Sequence, residues 1–352
     1  MRRFGSDDRI ALLMHGHLDT GFGKLGQGML RYSEAKIVAL IDSSHVGGDS
    51  TEITGILRHV PIVGTVAESY DLGARVLIVG IAPPGGRLPE AWWPELRDAL
   101  RLGMSLVNPL HGSWEDQLGQ FLGADNWIWD IRVEPEGLEP GVGAAAGLSA
   151  KRLLTVGSDM SVGKMTAALE CVAAAGGRGI STRFLATGQV GICIAGTGVP
   201  LDAVRLDYAA GVIEREVVAA AQNGADVVVV EGQGALNHPA STASLALMRG
   251  SMPTHLLFAH RARQQGLKRM EEFSIPPIRD LIELNERVAA SCGCFPAPKT
   301  IGVALNTAEL SGGEALEECE RLAEETCLPV SDPVRHGCGP FLDALLVPTT
   351  AG

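Results

Sequence analysis

The stretch Leu153–Thr166, read LLTVGSDMSVGKMT, constrains the fold of this chain more than any other. A short apolar run, Leu153–Val156, ends on Gly157; Gly163-Lys164 follows, and Ala167–Ala175 reads as a helix. Strand, glycine-bounded loop, Gly-Lys and helix is the order of a phosphate-binding loop. In such a loop, backbone N–H groups and the unpaired N–H groups of the helix start converge on an anion. The lysine adds a mobile positive charge, and the glycines let the chain turn tightly and approach the ligand. Gly157, Ser158, Asp159, Ser161, Val162, Gly163, Lys164, Met165 and Thr166 are therefore expected to surround a phosphate-rich cofactor. The common loop has four residues between its glycines and a Ser or Thr directly after the lysine. Here five intervene, Ser158 to Val162, and Met165 follows Lys164, with Thr166 one place later. The displaced hydroxyl normally holds Mg²⁺, and a thioether is a poor partner for a hard cation.

At 352 residues the chain is long for one core and comfortable for two. Its 46% apolar and 20% charged content is that of a globular protein, and its 44 glycines suit an α/β fold with many tight strand–helix turns. A formal charge of −12 argues against nucleic acid or an anionic membrane surface as a partner. Met-Arg-Arg leads into charged residues rather than an apolar leader, and no apolar run is long enough to span a bilayer. A cytoplasmic location is the expectation. The seven cysteines then read as reduced thiols. Cys292-Gly-Cys294 is the only close pair, and a metal there would need further ligands.

Apolar runs at Arg9–His15, Lys36–Asp42, Ile62–Val66, Val76–Ile81 and Met104–Val107 predict strands, with helices at Gln27–Ser33 and Glu90–Leu102. Alternating strands and helices mean a parallel sheet with right-handed crossovers. Gly21, Gly23 and Gly26 form a G-x-G-x-x-G, and Asp42 ends the second strand, as a dinucleotide ribose would want. The glycines begin several residues past the strand, so the fingerprint is weak, and the favoured reading is a Rossmann-like turn whose glycines serve packing or another ligand. Residues 134–150, rich in Gly, Ala, Pro and Glu, read as a linker between domains 1–133 and 151–352. Beyond the loop, Arg183–Ala186, Ala225–Val230, His255–His260 and Thr300–Leu305 continue the strand pattern. The run ADVVVV is apolar throughout, as in a strand buried on both faces, and it ends on Glu231-Gly-Gln233-Gly234. A carboxylate just past a buried strand, beside a phosphate loop, is where such enzymes place a metal- or water-positioning acid. Gln189, in ATGQVG, and Gln233 are expected to join the phosphate loop in binding the cofactor.

Taken together, the loop, ATGQVG, VEGQG with Asn237-His238-Pro239, and Asp332–Gly337 identify the chain as a member of the DgcN-like family, long catalogued as a domain of unknown function. The resemblance covers nearly the whole chain, including GKLGQGMLRYS and IDSSH. It implies two three-layer α/β domains with mostly parallel sheets, Rossmann-like at the N-terminus and P-loop NTPase-like at the C-terminus. It implies an acetyl-CoA-dependent N-acetyltransferase acting on D-glutamate or related D-amino acids. The loop itself resembles the GTDTxVGKT loop of dethiobiotin synthetases at Asp159, Val162, Gly163 and Lys164. That likeness implies the alternative of an ATP/Mg²⁺-dependent kinase or ligase, with Lys164 at the nucleotide and Asp159 and Glu231 at the metal. A nucleotide-binding module without turnover is a third reading. CoA carries a diphosphate and a 3′-phosphate, so a phosphate loop holds it as well as ATP. Acetyl transfer to an amine needs a base, an oxyanion donor and a cation for substrate carboxylates. Glu231, His238 and His17 are candidate bases, with Lys164 among the catalytic groups; Arg183, Arg205 and Lys24 are candidate cations. The expected partners are a small amino acid and a second copy of the chain in a homodimer.

Overall fold

The computed structural model describes residues 4–347, which form two compact units. One contains residues 4–134 with 188–203, the other 135–187 with 204–347.

The first unit is built on β1 (Arg9–Leu13), β2 (Lys36–Ile41), β3 (Ile62–Val63), β4 (Val76–Val79), β5 (Ser105–Asn108) and β6 (Ile128–Asp130). They lie in the order β3-β2-β1-β4-β5-β6, and every neighbouring pair is parallel. Four of the five residues of β1 and all of β4 are buried, as central strands covered by helices must be. The order reverses between β1 and β4, which is where open α/β sheets form a crevice at their C-terminal strand ends. The strand expected over Ile62–Val66 stops at Val63 because a capping box takes over. Thr65 Oγ1 accepts from Glu68 N–H at 3.2 Å and starts the helix Val66–Asp71.

The glycine motif here serves packing. Gly26 N–H donates to the Gly80 carbonyl at 2.8 Å, and a Cβ at Gly23 would lie 1.9 Å from the His17 carbonyl oxygen. Asp42 is consumed by its own loops: Oδ1 accepts from Gly16 and Ser44 N–H, and Oδ2 meets His45 Nδ1 at 2.7 Å. Burial would push its carboxyl up, but the bonds from Gly16, His45 and Ser44 outweigh burial and hold it below the usual range.

The second unit is built on β7 (Lys151–Gly157), β8 (Thr182–Leu185), β9 (Val227–Val230), β10 (His255–Arg261), the antiparallel ribbon β11 (Gly266–Leu267) and β12 (Met270–Ser274), then β13 (Lys299–Asn306) and β14 (Val330–Ser331). The main sheet runs β14-β13-β10-β7-β9-β8 and is parallel throughout. Its order reverses at β7, between β9 and β10, so the loop leaving β7 emerges at the switch point. All four residues of β9 are buried, as its continuous apolarity predicts.

Two boundaries differ from the sequence reading. The stretch read as a linker belongs to the second unit from residue 135 onward. Val142 N–H donates to Glu214 Oε1 at 3.0 Å, on the helix Leu206–Gln222, and Gly211 of that helix lies flat against the Glu139 backbone. Residues 188–203, read within the second domain, group instead with the first. They carry the helix Gln189–Ala195, whose buried face Gly191–Ile194 packs on the helix Lys24–Tyr32. No helix among the described residues is long and apolar enough to cross a membrane.

A Cβ at Gly211 would sit 1.8 Å from the Glu139 carbonyl oxygen, whereas one at Gly176, in the helix Lys164–Gly177, meets nothing within 4 Å. Gly211→Ala is therefore expected to destabilise by about 1–3 kcal/mol through backbone displacement. Gly176→Ala is expected to stabilise by up to ~1 kcal/mol through helix propensity. Thermal unfolding of the two variants checks both signs.

Candidate phosphate-binding site

The loop leaving β7 has the geometry of an anion cradle. Gly157 closes the strand where a Cβ would lie 2.6 Å from the Ala259 carbonyl oxygen of β10. Gly163, at φ +112, occupies a conformation that only glycine adopts without strain, and it N-caps the helix Lys164–Gly177. Gly163 O accepts from Ala167 N–H at 2.9 Å, the first helical bond. The N–H groups of Lys164, Met165 and Thr166 therefore precede that bond and point out of the helix start. Val162 is buried beneath the loop, Ser161 is exposed at φ +59, and Arg261 holds the Ser161 carbonyl from outside at 3.2 Å.

Lys164 is 6% exposed, and its ammonium donates to the Asp159 carbonyl oxygen at 2.6 Å. Burial pushes its pKa down to about 8, against partial restoration by the carboxylates of Asp159 and Glu231. Gly232, next to Glu231, leaves room for this side chain: a Cβ there would meet Thr155 O at 1.7 Å and Lys164 Cδ at 3.0 Å.

The two carboxylates are held rigidly by their neighbours. Asp159 Oδ1 accepts from Met160 N–H, and Oδ2 accepts from Gln264 Nε2 and Lys268 N–H, all at 2.6 Å. Glu231 Oε2 accepts from Thr187 N–H at 2.8 Å, while Thr187 Oγ1 donates to the Glu231 carbonyl at 2.8 Å. Gln233 Nε2 donates to Thr187 Oγ1 at 3.2 Å. Ser158, fully buried, pairs its Oγ with His260 Nδ1 at 2.8 Å, and burial pushes His260 down to about 4. Asn237 Nδ2 donates to the Ser158 carbonyl at 2.9 Å.

His238 is placed differently from a free base. Its Nδ1 accepts from Ala240 N–H at 3.1 Å, so the ring hydrogen sits on Nε2, 3.2 Å from the Lys268 carbonyl and 3.7 Å from Asp159 Oδ1. Both nitrogens are engaged, and His238 pins the segment that pins Asp159. Gln189 groups with the first unit, on the helix described above. Arg183 is exposed and pairs in register with Val228, before the strand end that carries Glu231. Arg205 stacks over Tyr208 at 4.8 Å. His17 and Lys24 lie in the first unit, where His17 Nδ1 meets Thr20 Oγ1 at 3.0 Å.

The donor set suits an anion better than a metal. Asp159 spends both oxygens on internal donors, Met165 stands where a metal-holding hydroxyl normally stands, and among the described residues no three His, Cys, Asp or Glu side chains converge as a metal site. Thr187 and His260 support the site from within ATGQVG and the strand His255–His260, where they were not singled out, and Gln264 and Lys268 support it from outside any local motif. Gln264 and Lys268 reach Asp159 from more than 100 positions along the chain, through the loop and ribbon after β10, which no local pattern announces.

A Rossmann-like unit and a P-loop unit in one chain define the class of protein. Residues 139–342 match the P-loop domain, and residues 43–134 the Rossmann-like domain, of the DUF1611 domain of unknown function. The chain belongs to the DUF1611 family, as its DgcN-like motifs indicate. It is 36% identical over 277 residues to a Pseudoalteromonas protein named D-glutamate N-acetyltransferase, covering 78% of this chain and 82% of that one. It is 34% identical over 289 residues to a protein of the same name from Tritonibacter scottomollicae, covering 80% and 84%. A crystal structure of a DUF1611 family protein from Anabaena variabilis is 45% identical, with a TM-score of 0.92 over 96% of this chain and 99% of that one.

Lys164 generates a pH prediction. Its pKa is about 8 in the folded chain and near 10.5 when exposed, so between these values the unfolded chain binds more protons. Stability should therefore rise with pH across that window by about 3 kcal/mol from this group. Below it the full penalty of the buried charge is present. Lys164→Met is expected to remove that slope and to be the more stable protein at neutral pH. Denaturant unfolding of both proteins from pH 7 to 10.5 checks the difference, in which other titrating groups cancel.

Proposed function

We propose that this chain is an acetyl-CoA-dependent N-acetyltransferase whose acceptor is D-glutamate or a related D-amino acid. One observation of the site carries the reading: the P-loop keeps its glycines, its helix start and its lysine, while Met165 stands where the metal-holding hydroxyl normally stands and Asp159 already accepts three internal hydrogen bonds. Such a loop grips phosphate groups as a handle. The names of the two relatives supply the chemistry that the handle serves.

Acetyl-CoA, when bound, supplies an acetyl group activated as a thioester. The chain's part begins with Lys164, which lies buried at the helix start. A phosphate anion at the cradle favours the charged ammonium, so binding takes up protons near pH 8. The N–H groups of Lys164, Met165 and Thr166 orient the anion. Glu231, held by Thr187, is the residue that accepts the proton of the attacking amine. His238 and Gln233 are positioning residues, each acting through its hydrogen bonds to backbone or to Thr187.

Purified protein given D-glutamate and acetyl-CoA is expected to release free CoA, at a rate that EDTA leaves unchanged. Lys164→Ala should raise KM for acetyl-CoA by roughly 10–100-fold, the equivalent of one charge-assisted hydrogen bond. No CoA release with any of several D-amino acids would overturn the reading. Mg²⁺-dependent ATP turnover in its place would establish the kinase or ligase alternative, which the long loop spacing of dethiobiotin-synthetase type favours.

A further inference from the structure

The first unit holds a cavity of about 750 Å³ that the P-loop site does not include. It opens past the C-terminal ends of β1, β2 and β3, at His15, Ser43 and Thr65, and runs along the helix Trp93–Arg101. That is the size of a small-molecule cleft, in the region where open parallel sheets bind ligands. Val66, Ala91, Trp92 and Leu102 make much of its wall apolar.

Its polar groups are ordered by a short relay. Ser43 N–H donates to His15 Nδ1 at 3.0 Å, which leaves the ring hydrogen on Nε2. Nε2 donates to Glu95 Oε1 at 2.8 Å. The His15 ring is braced edge-on against Trp92, with centroids 5.5 Å apart. Glu95 Oε2 is buried and has no hydrogen-bond partner. A buried carboxylate oxygen without a donor is costly, so this atom wants an N–H that the chain does not supply. The other charges on the lining, Asp98 and Arg101, pair with each other at 3.1 Å. Glu95 is then the uncompensated charge, and the lining is net negative.

We propose that this cavity binds a small primary amine, with its ammonium donating to Glu95 Oε2 and its carbon body against Trp92. The same chemistry is offered by a free amino acid and by a simple alkylamine, either bound here apart from Glu231, the base of the proposed reaction. Amine binding is measured without acetyl-CoA, so it stands or falls independently of the acetyltransferase reading.

Isothermal titration of the full chain uses three probes: D-glutamate, its des-amino analogue glutarate, and n-butylammonium chloride. At least one ammonium probe is expected to bind saturably, and glutarate at least tenfold more weakly. Glu95→Gln should weaken the ammonium probe at least tenfold, with acetyl-CoA binding and thermal unfolding unchanged. Ala67→Trp, which fills the cavity from its exposed edge and leaves Glu95 intact, should weaken it likewise. Loss of D-glutamate binding in both variants marks an amino acid as occupant; binding of n-butylammonium alone marks an alkylamine. Binding without any CoA release would sink the acetyltransferase reading and leave this one standing. Failure of both ammonium probes on the wild-type chain, or an unaltered affinity in folded Glu95→Gln, would overturn it.

Discussion

The buried charge of Lys164 is the constraint around which the loop site of the second unit is arranged, at a cost in stability. An ammonium that is 6% exposed needs acceptors and opposite charge close by, or it loses its proton. Asp159 supplies a carbonyl and a carboxylate, and Glu231 supplies a second carboxylate. Each carboxylate must itself be fixed, since a mobile one would not hold its place beside the cation. Thr187 fixes Glu231, and Gln264, Lys268 and Met160 fix Asp159. Gly232 completes the arrangement by its missing side chain, which lets β9 end against β7 and the lysine stem pass. The result is a preformed cradle around a buried lysine that holds its proton less tightly than an exposed one.

Both units solve the same problem with the same grammar. A parallel sheet buried on both faces must send its functional loops out at the C-terminal strand ends, and where the strand order reverses those loops diverge and leave a crevice. In the second unit the reversal lies at β7 and the crevice receives the phosphate loop. In the first it lies at β1 and β4, and the cavity lined by His15, Trp92 and Glu95 opens past the neighbouring strand ends. The glycine motif of the first unit looked like a nucleotide fingerprint but is spent on contact. Gly26 bonds to Gly80, and Gly23 lies against the His17 carbonyl.

How legible the site was depends on how local each contact is. The P-loop was readable because strand, glycines, lysine and helix are contiguous, and backbone geometry follows directly from that order. Glu231 was readable because the apolar run before it could only be a buried strand. Thr187 lay inside the motif ATGQVG without a role of its own, and Gln264 and Lys268 left no signal at all, for these polar residues gain meaning only from partners far along the chain. His238 carried a signal that pointed elsewhere: a histidine near a phosphate loop looks like a base, and its hydrogen bonds to Ala240 and Lys268 make it a brace. The helix Gln189–Ala195 shows the same limit, since its buried glycine-containing face is defined by what it packs on.

Contiguous residues were enough to set the class of the chain. Periodicity, glycine placement and the loop order dictate two parallel α/β units and a P-loop at a helix start, because these depend on neighbours within a few residues. Long-range packing set the rest: that residues 135–150 build the second unit and 188–203 the first, that Asp159 accepts from Gln264 and Lys268, and that His15 and Glu95 meet across 80 positions of chain beside a cavity. Those facts are set by which surfaces come together when the sheets close, and no run of adjacent residues encodes such a meeting.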